Sequence, residues 1–129
     1  MDISEIANEI YLTNKKNGFW DEDRNIGEVL MLVVSELSEA LEADRENRYA
    51  DLPILENNTE AYKNDGYESD IAFKKAFEYS VKDSFEDEIA DAIIRLLDLS
   101  AGFDIPIEKH VRQKLEYNKR RKRMHGKKY

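Results

Sequence analysis

The sequence predicts an all-α protein, an antiparallel four-helix bundle, on three observations. The 129 residues include only five Gly and two Pro, which favours a few long elements over many short ones. In several segments apolar residues recur at the i, i+3, i+4, i+7 spacing of amphipathic helices. Strand-type alternation of any length is absent, so helices that pack on helices are the expected architecture.

The first helix is predicted over residues 4–17 and is followed by an aromatic loop. Gly18 is a natural stop, and residues 19–25 are expected to form a loop that carries Phe19 and Trp20. The apolar face of this helix consists of Ile3, Ile6, Ala7, Ile10 and Tyr11.

The second helix is predicted from Ile26 to Arg45 or beyond, and a less regular stretch follows it. Residues 49–67 lose the apolar period and contain Pro53, 57–59 (Asn-Asn-Thr) and 64–66 (Asn-Asp-Gly), which indicate turns or loops. A short helix is predicted over residues 70–79. Residues 48–82 are therefore interpreted as a partly helical insertion between two core helices.

The third helix is predicted from near Ser84 to Gly102, and the fourth from about Ile107 to Arg121 or further. Residues 84–87 (Ser-Phe-Glu-Asp) resemble a capping box with Asp in place of Glu, and Gly102 is a typical C-terminal stop. Pro106 suits the first turn of the last helix. The apolar face of that helix is thin, with Val111, Leu115 and Tyr117.

Length and composition predict one domain over residues 1–129 that needs a second subunit to complete its small core. The chain has no Cys, which excludes a disulfide framework and cysteine-based metal sites. No run approaches the ~18 apolar residues of a membrane span. The N-terminus does not resemble a signal peptide, so a cytoplasmic protein without a membrane partner is expected.

Charge is distributed unevenly along the chain. The net charge is −8, and residues 109–129 alone carry +9, from ten Lys or Arg against Glu116, so residues 1–108 carry −17. The basic segment is either a solvated helix end, favoured by the dipole of the last turn, or a phosphate-binding surface.

Two pairs of carboxylates break the amphipathic pattern of the second and third helices. Glu36 falls inside the apolar arc of its helix, and Glu39 lies one turn further along. Glu88 and Asp91 repeat the three-residue spacing on the next core helix, with Arg95 and Asp98 continuing that stripe. A carboxylate in an apolar arc is costly unless a cation accompanies it.

If the second and third helices pack antiparallel, the four carboxylates can line one cavity. Oxygen ligands without His or Cys select Mg²⁺, Mn²⁺ or Ca²⁺. A solvated face, or salt bridges from Arg95 or Arg24, would also account for these acids. A di-iron bundle is set aside, because neither His110 nor His125 lies three residues after a Glu.

Three motifs in order resemble the MazG-type all-α nucleoside triphosphate pyrophosphohydrolases. Residues 35–42 (Ser-Glu-Leu-Ser-Glu-Ala-Leu-Glu) and 88–96 (Glu-Ile-Ala-Asp-Ala-Ile-Ile-Arg-Leu) resemble the family's Glu-x-x-Glu and Glu-x-x-Asp helices. Residues 114–121 (Lys-Leu-Glu-Tyr-Asn-Lys-Arg-Arg) are similar to its Lys-x-x-x-Asn-x-x-Arg segment. The sequence departs from the family at Ser35, where many members have another Glu, and in the length of the insertion.

The resemblance implies Mg²⁺-dependent hydrolysis of (deoxy)nucleoside triphosphates to monophosphate and pyrophosphate, for housecleaning or nucleotide-pool control. It implies that Glu36, Glu39, Glu88 and Asp91 form the catalytic site and bind Mg²⁺, with Mn²⁺ as a substitute. It also implies a homodimer or homotetramer. The implied substrate-binding residues are Lys114 and Arg121 for phosphates, Asn118 for the sugar or base, and, more weakly, Trp20 for base stacking and Asn17.

Two other function classes remain open at this stage. One is a non-catalytic nucleic-acid-binding or adaptor protein that uses the basic C-terminal segment, although the net charge of −8 argues against nucleic acid as a partner. The other is a structural bundle, or a family member without activity, which would keep the fold but would not bind Mg²⁺ specifically.

Overall fold

The computed structural model describes residues 2–129, and every regular element in this range is helical. Six α-helices are followed by a short 3₁₀ helix, Arg123–Gly126, and no strand occurs among the described residues. The all-α prediction is confirmed. The α-helices are α1 (Ile3–Lys16), α2 (Ile26–Arg45), α3 (Leu52–Asn64), α4 (Ser69–Ser80), α5 (Phe85–Gly102) and α6 (Ile107–Lys119).

The chain divides into two compact units, which we describe separately. The first unit consists of residues 1–26 and 94–129, and the second of residues 27–93. The first therefore contains α1, α6 and the last part of α5, whereas the second contains α3, α4, nearly all of α2 and the first part of α5. The single domain expected from the length stays a prediction.

In the first unit, α1 packs against α6, and α1 begins with a strong cap. The Asp2 carboxylate accepts a hydrogen bond from the Glu5 backbone N–H, and the Glu5 carboxylate accepts one from the Asp2 N–H. This reciprocal pair satisfies two N–H groups that lack a partner within the helix. At the other end, Gly18 has a φ of +89°, which glycine adopts without strain. The predicted stop at this glycine is confirmed.

The second unit is built around small side chains. Its buried apolar residues are all Ala or Val, which allows the helices to approach closely: Val29, Val33, Ala40, Ala43, Ala72, Ala76, Val81 and Ala92. Helices α3 and α4 form a hairpin that fills most of the predicted insertion. Its base is held by the Asp51 N–H, which donates to the Ser80 carbonyl, and by the Ala50 N–H, which donates to the Glu86 carboxylate.

The prediction of a loop over residues 49–67 is wrong for most of that stretch, because α3 occupies it. Pro53 does not interrupt α3 but lies in its first turn, where a proline N–H is not needed. The Asp51 carboxylate caps the helix by accepting from the Ile54 N–H. Thr59 lies within α3 and donates its hydroxyl to the Leu55 carbonyl. The turn predicted at residues 64–66 does end the helix, since Asp65 is its C-cap.

The remaining predicted boundaries differ only at their ends. The short helix predicted over residues 70–79 is α4, and α5 matches the predicted third helix from the residue after Ser84 to Gly102. The α6 helix ends at Lys119 rather than Arg121, with Arg120 as its C-cap, and Pro106 is its N-cap. None of the helices in residues 2–129 combines the length and apolarity needed to cross a membrane.

Candidate metal centre

Helix α2 places Glu36 on its buried face and Glu39 at the edge of that face. Glu36 is only 7% exposed and lies on the same side of the helix as Val29, Val33 and Ala40. The sequence prediction that Glu36 lies inside the apolar arc is confirmed. Glu39 follows one turn later and is exposed.

Helix α5 supplies the second pair of carboxylates from its first two turns. Glu88 is 6% exposed and Asp91 is half-buried. The start of α5 is fixed by buried Ser84, whose hydroxyl accepts a hydrogen bond from the Asp87 N–H at 3.1 Å. The Asp87 carboxylate accepts a hydrogen bond from the Asp83 N–H. In a standard capping box the donor would be the N–H of the N-cap residue itself, Ser84.

The two helices meet because the chain enters α5 beside the point where it leaves α2. The Phe85 N–H donates to the Arg48 carbonyl at 2.9 Å, which joins the start of α5 to the segment that follows α2. Glu36 on α2 and Glu88 on α5 lie within hydrogen-bond reach of each other in the second unit.

Three of the four predicted ligands form one compact group. One carboxylate oxygen from each of Glu36, Glu88 and Asp91 lies within 4.8 Å of the others. Glu39 is outside this group but hydrogen-bonds to the Glu88 carboxyl. The pairing of the two motifs, predicted only on condition that their helices pack together, is thus present in the structure.

Burial and neighbouring carboxylates favour the protonated form of Glu88. Desolvation, followed by hydrogen bonds with Glu36 and Glu39, raises the pKa of Glu88 from its ordinary value of 4.5 to about 8. The protonated Glu88 donates to carboxylates that would otherwise repel it. The proton therefore supplies part of the positive charge that a bound cation would supply.

The donor set fits a hard divalent cation. All of its candidate ligand atoms are carboxylate oxygens, which is the chemistry that Mg²⁺, Mn²⁺ and Ca²⁺ prefer. Two of the three carboxylates are buried within a small apolar core, where a net negative charge is expensive. The residues present thus suit the predicted Mg²⁺, with Glu36, Glu88 and Asp91 as the direct ligands and Glu39 as an outer carboxylate.

The three predicted phosphate and nucleoside contacts lie in the first unit, on α6 and just after it. The Lys114 ammonium lies 4.9 Å from the centre of the Tyr117 ring, and the Arg121 guanidinium lies 5.5 Å from the same centre. Asn118 is half-buried, and its Oδ1 atom is buried without a hydrogen-bond donor. These residues form one cationic and amide-bearing face around an exposed aromatic ring.

Trp20 belongs to the packing of the first unit. Its indole N–H donates to the Asp98 carboxylate at 3.0 Å, and its ring makes edge-to-face contacts with Tyr11 and Phe103. The Arg24 guanidinium lies 5.1 Å from the ring centre. These contacts are those of a core aromatic, and base stacking by Trp20 stays a prediction. Asn17, the other weak candidate, is the exposed C-cap of α1.

Asp98 has a role that sequence reasoning missed. It was expected to continue the carboxylate stripe of α5, but it is 2% exposed and bonded to Trp20 and Arg24, both from the loop after α1. The Arg24–Asp98 ion pair measures 3.0 Å. A buried carboxylate and a buried indole N–H each need a hydrogen-bond partner, so the pairing of Trp20 with an acid was the one contact that the residue types could suggest.

We compared the chain with known proteins in three ways, and no protein-family model, curated protein or solved structure matches it.

Proposed function

We propose that this chain is a Mg²⁺-dependent nucleoside triphosphate pyrophosphohydrolase that cleaves the α–β phosphoanhydride of (deoxy)nucleoside triphosphates. The observation that carries the proposal is the convergence of Glu36, Glu88 and Asp91 within 4.8 Å. The motif resemblance supplies the reaction class. The proposal also includes a MazG-like four-helix bundle made by α1, α2, α5 and α6, with the α3–α4 hairpin as an insertion, in a cytoplasmic protein for housecleaning or nucleotide-pool control.

The carboxylates have a direct part in this chemistry. Glu36, Glu88 and Asp91 would hold the cation, which when bound neutralises triphosphate charge and makes coordinated water more acidic. Exposed Glu39, which is hydrogen-bonded to Glu88, would accept the proton of the attacking water. The water oxygen bonds to phosphorus, the bridging P–O bond breaks, and monophosphate and pyrophosphate leave. No nucleophilic side chain is required.

The face on α6 carries groups that suit an anionic nucleotide. Lys114 offers a compact charge and Arg121 a planar fork for phosphate oxygens. The Asn118 amide can both donate and accept hydrogen bonds, which suits a sugar hydroxyl or a base. These assignments support an anionic substrate despite the overall charge of −8.

The test is a product assay with a panel of canonical and modified (d)NTPs in Mg²⁺. The proposal predicts equal release of monophosphate and pyrophosphate, abolished in the Glu36→Gln and Asp91→Asn variants. The matched control is Glu42→Gln, an exposed carboxylate of the same helix that pairs with Arg45, which should keep full activity. Release of orthophosphate would show that a different phosphoanhydride bond is cleaved. Turnover of no nucleotide, or equal turnover by all four proteins, would contradict the proposal.

A further inference from the structure

The basic segment, residues 109–129, is exposed and only partly neutralised by neighbouring acids. Of its ten Lys and Arg residues, nine are exposed and Arg121 is half-buried. Three of the ten form ion pairs with two glutamates of α6: Arg112 with Glu108, and Lys119 and Arg120 with Glu116. The remaining seven form no ion pair within residues 2–129. Most of this positive charge is therefore available to an anionic partner.

The dipole of α6 accounts for little of this charge. The helix ends at Lys119, which is the basic residue of its last turn. The stabilisation that a cation gains from a helix dipole falls off within that turn. Residues 122–128 add four more cations beyond the helix, in and beside the 3₁₀ helix. A solvated helix end thus does not explain their number, and a surface for an anion does.

An exposed aromatic ring lies among these cations near the end of α6. Tyr117 is 57% exposed, with the Lys114 ammonium 4.9 Å and the Arg121 guanidinium 5.5 Å from its ring centre. Arg121 also donates a hydrogen bond to the His125 carbonyl at 3.4 Å, which ties the 3₁₀ helix to the end of α6. A ring beside two cations can stack on a base while the cations bind the adjacent phosphates.

We propose that Lys114, Tyr117, Arg121 and residues 122–128 form a binding surface for a single-stranded nucleic acid. An unpaired base stacks on Tyr117, and the phosphates on either side pair with the cations. A single strand suits this surface better than a duplex, because a base inside a duplex must first leave its stack to reach the ring. The proposal goes beyond the hydrolase: it does not use the carboxylate cluster, although Lys114 and Arg121 would serve both ligands.

The acidic remainder of the chain does not exclude this partner. The net charge of −8 argues against a nucleic acid only when charge is averaged over the chain, whereas residues 109–129 carry +9. At physiological ionic strength the Debye length is about 8 Å, so exposed charges farther from the strand are largely screened. Cations that touch phosphates release counterions from the strand, which favours binding and makes it sensitive to salt.

The first test is fluorescence anisotropy of the full chain with labelled oligouridylate, labelled oligothymidylate and a duplex of the same length. All samples contain EDTA, so the proposed Mg²⁺-dependent hydrolysis plays no part and its failure would not affect the result. We expect at least one of the two single strands to bind about 10-fold more tightly than the duplex. The tighter of the two identifies the sugar. The logarithm of the affinity should fall with the logarithm of salt concentration with a slope of about −3, if four phosphates are neutralised.

Charge-matched variants locate the phosphate contacts. Lys122→Gln/Arg123→Gln should weaken binding about 10-fold at low salt and reduce the magnitude of the slope by about 1. The control Lys74→Gln/Lys82→Gln removes the same charge from two exposed lysines of the second unit and should bind as the wild type does. Equal binding by the two double variants would overturn the proposed surface.

The stacking contact is tested separately from the charge. Tyr117→Leu should weaken single-strand binding about 10-fold without changing the salt slope, and Tyr117→Phe, which keeps the ring, should bind as the wild type does. The control is Tyr79→Leu on α4, where the tyrosine is 75% exposed. Circular dichroism confirms that each variant keeps its helices. No binding by the wild type, equal affinity for duplex and single strands, or full binding by Tyr117→Leu would overturn the proposal.

Discussion

At the scale of single residues, the unusual feature is the burial of carboxylates that face each other. Glu36 and Glu88 are each less than 10% exposed, and Asp91 is close to both. Burial of one ionised carboxylate costs several kcal/mol, and a second nearby charge adds repulsion. A cation beside these carboxylates would offset both costs, which supports the proposed metal site.

The raised pKa of Glu88 makes the stability of the metal-free chain depend on pH in a defined direction. Because the pKa of Glu88 is raised from 4.5 to about 8, the folded state holds a proton that the unfolded state releases. The contribution of this group is fully present below pH 4.5 and is lost as pH rises through about 8. We therefore expect the free energy of unfolding to fall between pH 5 and pH 9, by an amount on the order of a few kcal/mol.

Urea denaturation in chelator at several pH values checks this expectation. The matched variant Glu88→Gln keeps the size of the side chain but cannot titrate, so its stability should fall much less across the same window. The same variant should be more stable than the wild type at pH 9. Parallel pH profiles for the two proteins would show that Glu88 is not the titrating group.

At the scale of elements, the helix ends determine where the site residues point. Ser84 fixes the first turn of α5, and the contact between Phe85 and Arg48 sets that turn beside the end of α2. The α3–α4 hairpin is joined to the same junction through Ala50 and Glu86. The geometry of the carboxylate cluster therefore depends on the base of the insertion as well as on the core helices.

The end of α5 depends on one close contact that only glycine permits. A Cβ atom on Gly102 would lie 2.2 Å from the Trp20 ring. Gly102→Ala should therefore push the indole away from Asp98 and lower stability by about 1–3 kcal/mol. Thermal unfolding measures the loss, and the emission of Trp20, the only tryptophan, reports the shifted ring.

A double-mutant cycle gives the control for this contact. In the Trp20→Phe background the ring is smaller, so Gly102→Ala should cost less than in the wild type. An equal loss of stability in both backgrounds would show that Gly102→Ala acts on the end of α5 itself and not through the contact with Trp20.

The helices were largely predictable from the sequence, because most of them carry a regular apolar face or a clear terminal signal. The exception is α3, in which none of the residues is buried and Pro53 is more typical of a turn. Its stability comes from the Asp51 cap and from packing on α4, which no local pattern reveals. In the site, the position of Glu36 on the apolar face of α2 was predictable from periodicity. The partners of Asp98, 74 and 78 residues away, were not.

At the scale of the whole molecule, charge separates between the two units. The second unit contains the carboxylate cluster and 18 acidic residues against six basic ones, whereas the basic C-terminal segment lies in the first unit. Each unit therefore carries one of the two kinds of charged group that the proposed hydrolase would use.

The most direct test of the central claim, that the carboxylate cluster is a metal centre, is a Mn²⁺ titration at pH 8 followed by electron paramagnetic resonance of the free ion. We predict saturable binding by the wild type and at least about 10-fold weaker binding by Glu36→Gln and Asp91→Asn. Glu42→Gln should bind as the wild type does. The same weak, unsaturable binding by all four proteins would contradict the account.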